Sequence, residues 1–189
     1  MDAFLASTLA VAFAEIGDKT QLLSLFLVAR YAKRLPIILG ITTATLLNHA
    51  LSAWVGVWLA LFIPVTWLPW VLAASFIVIA GWLLIPDKDD SDSSAFPGMS
   101  AFMATTIMFF LAEIGDKTQI ATVVLAARFT ETLWVIIGTT AGMLIANIPV
   151  IMVGRWLMER LPFAKVRIGA SILFLIMAVV TLWAAYMNS

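Results

Sequence analysis

Six apolar stretches run along the chain, at about 3–30, 36–61, 67–86, 99–128, 133–157 and 167–187, with short polar or proline-bearing breaks between them. Each reaches the roughly 20 residues that a helix needs to cross about 30 Å of hydrocarbon. Three basic residues fall between Arg30 and Pro36, Pro64 and Pro69 bracket the second turn, and Arg155 to Arg167 is basic around Pro162. Apolar runs of this length leave little room for strands. The pattern predicts an all-α membrane protein with six transmembrane helices.

The pattern is also duplicated. Residues 14–21 read AEIGDKTQ and residues 112–119 read AEIGDKTQ again, 98 positions on. At the same offset Ala29-Arg30 matches Ala127-Arg128, Gly40 matches Gly138, Thr42 matches Thr140, Gly56 matches Gly154 and Trp58 matches Trp156. Residues 1–86 and 99–189 are thus expected to be two three-helix repeats within one membrane domain. An odd number of spans brings the second repeat into the bilayer from the opposite side, which makes the pair inverted.

Between the repeats lies DKDDSDSSAFPG, residues 87–98, whose composition describes a solvated acidic linker. A calcium loop of the EF-hand type needs Gly at position six and Glu at position twelve. Counted from Asp87, those positions hold Asp92 and Gly98. The connections after spans one, three and five carry Arg30, Lys33, Arg34, Lys88, Arg155, Arg160, Lys165 and Arg167, against Arg128 alone on the other side. The excess of Lys and Arg in cytoplasmic loops then places both termini outside and the linker in the cytoplasm.

Composition narrows the chemistry. The chain has 189 residues, 63% hydrophobic and 12% charged, with no net charge; soluble domains carry about twice that charged fraction. No cysteine is present, which removes disulfides, thiolate metal sites and haem attachment. A single histidine, His49, argues against bis-histidine haem and histidine-rich zinc sites. No basic patch suits a nucleic acid. The first segment has no basic residue ahead of its apolar run and reads as a retained helix, not a signal peptide.

Against this background the repeated motif is costly. Glu15 falls about 18 Å into the first span at ~1.5 Å per residue, and Glu113 lies at a similar depth in the fourth. Together the motifs put Glu15, Asp18, Lys19, Glu113, Asp116 and Lys117 near the bilayer midplane. Six such charges cost about 15–20 kcal/mol on insertion scales, so they must face water, one another or an ion. In a continuous helix Glu15 and Asp18, three residues apart, share a face. Gln21 continues that row, and Glu113, Asp116 and Gln119 repeat it.

Four carboxylates and two lysines leave a formal −2, the charge a divalent cation neutralises. Oxygen ligands suit hard cations such as Ca2+, Mg2+ and Mn2+. Carboxylates that take up protons as the metal leaves make metal/H+ exchange a natural mechanism, with Gln21 and Gln119 as further candidate ligands. Gly17 and Gly115 admit either close approach of a facing helix or a local break. Thr20 and Thr118 either bond back to the preceding turn or ligate directly. Lys19 and Lys117 compensate charge, with an intramembrane Glu15–Lys19 pair as the purely structural alternative.

The duplicated E-x-G-D-[KR]-[TS] motif, here Glu15 to Thr20 and Glu113 to Thr118, resembles one family closely. It is similar to the Ca2+/Mn2+ transporters that include bacterial manganese exporters of the MneA type and Golgi manganese/calcium transporters. That resemblance covers essentially the whole chain. It implies cation export or antiport with Glu15, Asp18, Glu113 and Asp116 as ligands, Mn2+ or Ca2+ as transported substrate, protons as counter-ion and no permanent cofactor. Without the N-terminal extension of organellar members, the chain resembles plasma (inner) membrane exporters, and Mn2+ follows from that resemblance.

Weaker signals remain. Asn48 and His49 lie in span two, and Asn147 stands at the position that matches His49. They either bond neighbouring helices or, for His49, relay protons. Trp67, Trp70 and Trp183 fall near span ends, as in an interfacial belt. Rival functions are a Ca2+/H+ exchanger, an exporter of basic amino acids or other organic cations, a passive cation channel, an intramembrane aspartyl protease and an assembly factor. The paired glutamates are unexplained by aspartyl protease chemistry. No oligomeric state follows, and a homo-oligomer is compatible with the pattern.

Overall fold

The computed structural model describes residues 1–85 and 98–187, which form nine helices and no strand. They are α1 (Asp2–Glu15), α2 (Lys19–Tyr31), α3 (Arg34–Ala60), α4 (Leu68–Leu83), α5 (Ala101–Glu113), α6 (Lys117–Arg128), α7 (Thr132–Val153), α8 (Arg155–Arg160) and α9 (Phe163–Met187). Apart from Gly98, the expected linker lies outside the described residues.

Helices α3, α7 and α9 are long and apolar enough to cross a membrane, and α4 and α5 are shorter apolar helices. Large apolar side chains stay exposed along them, among them Trp54 at 66%, Val78 at 67% and Val179 at 66%. Water solvates such a surface poorly and lipid solvates it well. The protein is an all-helical membrane protein.

Three of the expected continuous spans are interrupted. The first divides into α1 and α2, the fourth into α5 and α6, and the fifth ends at Val153, with α8 turning away and burying no residue. A glycine with positive φ sits at each break: Gly17 (90°), Gly115 (77°) and Gly154 (81°). Side chains strongly disfavour that conformation, so the glycine fixes where each helix stops. Span three is also shorter than expected, with α4 starting at Leu68, where Pro69 falls in the first turn and its missing N–H costs nothing. The sixth span begins four residues earlier than expected, at Phe163.

Packing crosses between the two halves of the chain. Helix α1 lies mainly on α7, α4 on α9, and α3 on α5, α6 and α7. Close crossings rest on glycines, as is usual where lipid supplies no hydrophobic drive between helices. A Cβ on Gly138 or Gly142 of α7 would lie 2.6 Å from a carbonyl oxygen of α1, Phe4 or Thr8 respectively. On Gly40 of α3 it would meet Thr105 Cβ of α5 at 2.7 Å. Gly81 and Gly169 face open space.

The crossing of α1 over α7 is therefore expected to tolerate no side chain. Gly142→Val should cost about 1–3 kcal/mol of stability through overpacking. Gly81→Ala should leave the thermal midpoint in detergent unchanged or higher. Equal losses in both variants would refute the tight crossing.

Candidate metal site

Each copy of the octet AEIGDKTQ folds as a helix end, a three-residue bend and a helix start. Helix α1 stops at Glu15, Ile16 turns extended (φ −68°, ψ 114°), Gly17 takes positive φ, and Asp18 caps α2. In the second copy α5 stops at Glu113, Ile114 is extended (φ −63°, ψ 120°), and Asp116 caps α6. Asp18 and Asp116 each accept the amide N–H two residues on, at 3.3 Å, the usual service of an aspartate at a helix N-terminus. Gln21 Oε1 accepts the Gly17 N–H at 2.9 Å, and Gln119 Oε1 accepts that of Gly115 at 2.6 Å. The two glutamines thus satisfy backbone groups that a break inside hydrocarbon would strand.

The expected single row of Glu15, Asp18 and Gln21 on one helix face is corrected by this geometry. The helix stops between the glutamate and the aspartate, so each acid ends or begins its own half-helix. Both Gly17 and Gly115 show the local break, and Gly17 also admits the close approach of a facing helix.

Across the molecule the two bends meet. Glu15, Glu113 and Asp116 are all buried, and one carboxylate oxygen from each lies within 4.8 Å of the others. The Thr20 hydroxyl donates to Glu15 Oε2 at 2.8 Å. That of Thr118 lies 3.1 Å from both Glu113 Oε2 and Asp116 Oδ2. Both threonines reach across the bend to hold a carboxylate and do not bond back along their helices. Glu15 Oε1 and Glu113 Oε1 remain buried with no hydrogen-bond partner. Such orphaned acceptors are costly, and a hard cation held among the three carboxylates would offer acceptors of this kind a partner.

Identical residues of the two copies have different surroundings. Lys19 Nζ lies 3.4 Å from Asp116 Oδ1, so it joins the first motif to the second in place of an intrahelical pair with Glu15. Lys117 is buried and donates to the Ile85 carbonyl at 2.7 Å, with Trp82 beneath its ammonium at 6.0 Å. Asp18 is buried too, yet stands outside the cluster of three. Phe163, at the start of α9, packs on Gly17 so closely that a Cβ there would lie 2.6 Å from its ring, whereas among the described residues nothing lies within 4 Å of the same point on Gly115. Sequence reasoning missed Phe163, which carries no motif and lies outside the expected sixth span.

The polar residues of α3 and α7 differ in the same way. Asn48 Nδ2 donates to the Phe110 carbonyl of α5 at 3.0 Å. Asn147 accepts the Ser24 hydroxyl at 2.8 Å and donates to the Met143 carbonyl at 3.1 Å, while Gln21 Nε2 donates to the Ala146 carbonyl at 2.9 Å. His49 is fully buried with neither ring nitrogen partnered.

The profile of the family described as "Divalent cation/proton antiporter GDT1" matches residues 3–91 and again 101–189. A Vibrio cholerae protein named "Putative manganese exporter" is 51% identical over 182 residues, 96% of this chain and 90% of that protein. A GDT1-like protein of Synechocystis is 26% identical over 205 residues, 97% of this chain and 98% of that protein. A GDT1-like protein of Schizosaccharomyces pombe is 29% identical over 86 residues, 46% of this chain and 32% of that protein. No solved structure matches the chain.

Thr118→Val keeps side-chain shape but removes the donor shared by Glu113 and Asp116. Such losses behind a metal ligand typically weaken affinity by about 10–100-fold. Mn2+ binding to purified protein, followed by equilibrium dialysis, should fall by that order in Thr118→Val and stay near wild type in Thr118→Ser. Unchanged binding in the valine variant would remove Thr118 from the site.

Proposed function

The chain belongs to the GDT1 family of divalent cation/proton antiporters, and we propose that it exports Mn2+ in exchange for protons through a midplane site built from Glu15, Asp18, Glu113 and Asp116. The observation that carries this reading is the pair of orphaned oxygens, Glu15 Oε1 and Glu113 Oε1, in a buried cluster with Asp116. Neutral ligands alone would not need that much acid in one place. The Vibrio relative, named for manganese export, favours Mn2+ over Ca2+ as the ion. A Ca2+/H+ exchanger is the second reading, since oxygen ligands serve both ions.

Charge balance gives the exchange its logic. Four acids and two lysines leave −2, which one divalent ion or two protons bring to zero. The site can then cross between states in either form without a net buried charge, whereas the empty, ionised form is penalised by burial. Transport in one direction and proton movement in the other follow from that penalty.

The architecture that serves this is six spans in two inverted three-helix repeats, residues 1–86 and 99–189, joined by the acidic segment 87–98. In this reading the protein lies in the plasma membrane with both termini outside the cytoplasm and the linker within it. Helices broken at mid-membrane around an ion site, contributed by both repeats, are the recurring solution in such transporters. The unequal cover of the two bends supports alternation: Phe163 sits on Gly17, and Gly115 stands open. In this reading Phe163 closes one route to the carboxylates, and transport requires it to leave Gly17 as the opposite bend is covered.

In liposomes with an acidic interior, protons leaving should drive Mn2+ inward, saturably, and dissipating the gradient should stop it. Glu113→Gln and Asp18→Asn should each abolish that flux. Mn2+ movement indifferent to the gradient would remove the proton exchange, and competition by lysine would favour an organic cation. Phe163→Ala should retain Mn2+ binding while raising Mn2+ movement without a gradient; a tightly coupled alanine variant would show that Phe163 is no gate.

A further inference from the structure

Away from the carboxylates, a cleft of about 620 Å3 opens where α4 begins and where α6 and α9 end. Leu68, Leu72 and Leu182 give it apolar walls, and Arg128, Thr181 and Tyr186 bring polar groups to it. We propose that this cleft binds an anionic phospholipid, with the Arg128 guanidinium on the phosphodiester and an acyl chain along the leucine wall. The assignment rests on the membrane reading of the fold and is independent of the metal site.

Arg128 is held in place from two sides. Its Nε–H donates to Thr181 Oγ1 at 3.3 Å, and that hydroxyl in turn donates to the Met177 carbonyl at 2.7 Å. Its guanidinium also lies 5.4 Å from the centre of the Phe129 ring. One of five N–H donors is thereby used, and no carboxylate pairs with the group among the described residues. An arginine fixed through Nε at the lining of an apolar cleft, with no carboxylate partner among the described residues, is suited to a forked contact with an anion.

The depth of the cleft says which anion. Trp67, Trp70, Trp183 and Tyr186 surround this end of the molecule, each exposed by 61% or more. Exposed Trp and Tyr mark the level of the headgroups. The connections at this end, 61–67 and 129–131, contain no other Lys or Arg, so the attraction is a single point and not a diffuse basic surface. Arg30, the residue 98 positions before Arg128, lies exposed beside Lys33 and Arg34 and does not line this cleft. A phosphate group with hydrocarbon attached satisfies both the arginine and the leucines; a free anion satisfies only the first.

Full-length protein in mild detergent, stripped of lipid and offered equal phosphatidylglycerol and phosphatidylcholine, would be weighed by native mass spectrometry. Wild type should retain phosphatidylglycerol at least several-fold over phosphatidylcholine, and Arg30→Gln should do the same. Arg128→Gln should lose the preference. Ala185→Trp, which fills the cleft and keeps the arginine, should lose phosphatidylglycerol as well, which separates occupancy of the cleft from misfolding of the arginine variant. Retention unchanged in Arg128→Gln or in Ala185→Trp, or an equal loss in Arg30→Gln, would overturn the assignment.

Discussion

Carboxylates buried inside a helical bundle have to be held, and the arrangement of both motifs answers that need. A continuous helix could present its acids only along a face, with its own backbone already satisfied. Stopping the helix at Gly17 and Gly115 turns Glu15 and Glu113 into terminal residues and makes Asp18 and Asp116 caps. Each stop would leave peptide groups without partners in hydrocarbon. Gln21 and Gln119 take up the stranded N–H groups, and Thr20 and Thr118 steady the glutamates. One octet therefore supplies the break, its repair and the buried carboxylates beside it.

The large features of the fold were legible because they follow from length and solvent. Long apolar runs gave the all-helical membrane class, and the repeated charged octet marked the two segments whose carboxylates meet. The break itself was harder to read. Gly40 and Gly138 also lie in apolar stretches, yet they serve close crossings within unbroken helices, whereas Gly17 and Gly115 interrupt theirs. What distinguishes them is the following Asp, a helix-capping residue whose meaning was masked by reading it only as a ligand. The different fates of Lys19 and Lys117 were not legible at all, since their octets are identical and only their neighbours differ. Nor was the contact of Phe163 with Gly17, which depends on where α9 begins.

Polar groups inside the bundle divide into those that tie helices together and those left without partners. Asn48, Asn147 and Gln21 each reach the backbone or side chain of another helix, which fixes rotation as well as distance. His49 occupies the position matching Asn147 but makes no such bond. At two positions 98 residues apart, one side chain therefore ties helices together and the other is buried without a partner among the described residues.

Packing between the halves also orders events during synthesis. Helix α1 has its main partner in α7 and α3 has its partners in α5, α6 and α7, all made later. When residue 85 leaves the ribosome, the glycine face of α3 and the acid of the first bend have nothing to meet. The first half has few contacts of its own to hold it until its counterpart arrives. Packing of the halves and convergence of the three buried carboxylates are then one and the same step, so a chain whose second half failed to dock would lack both.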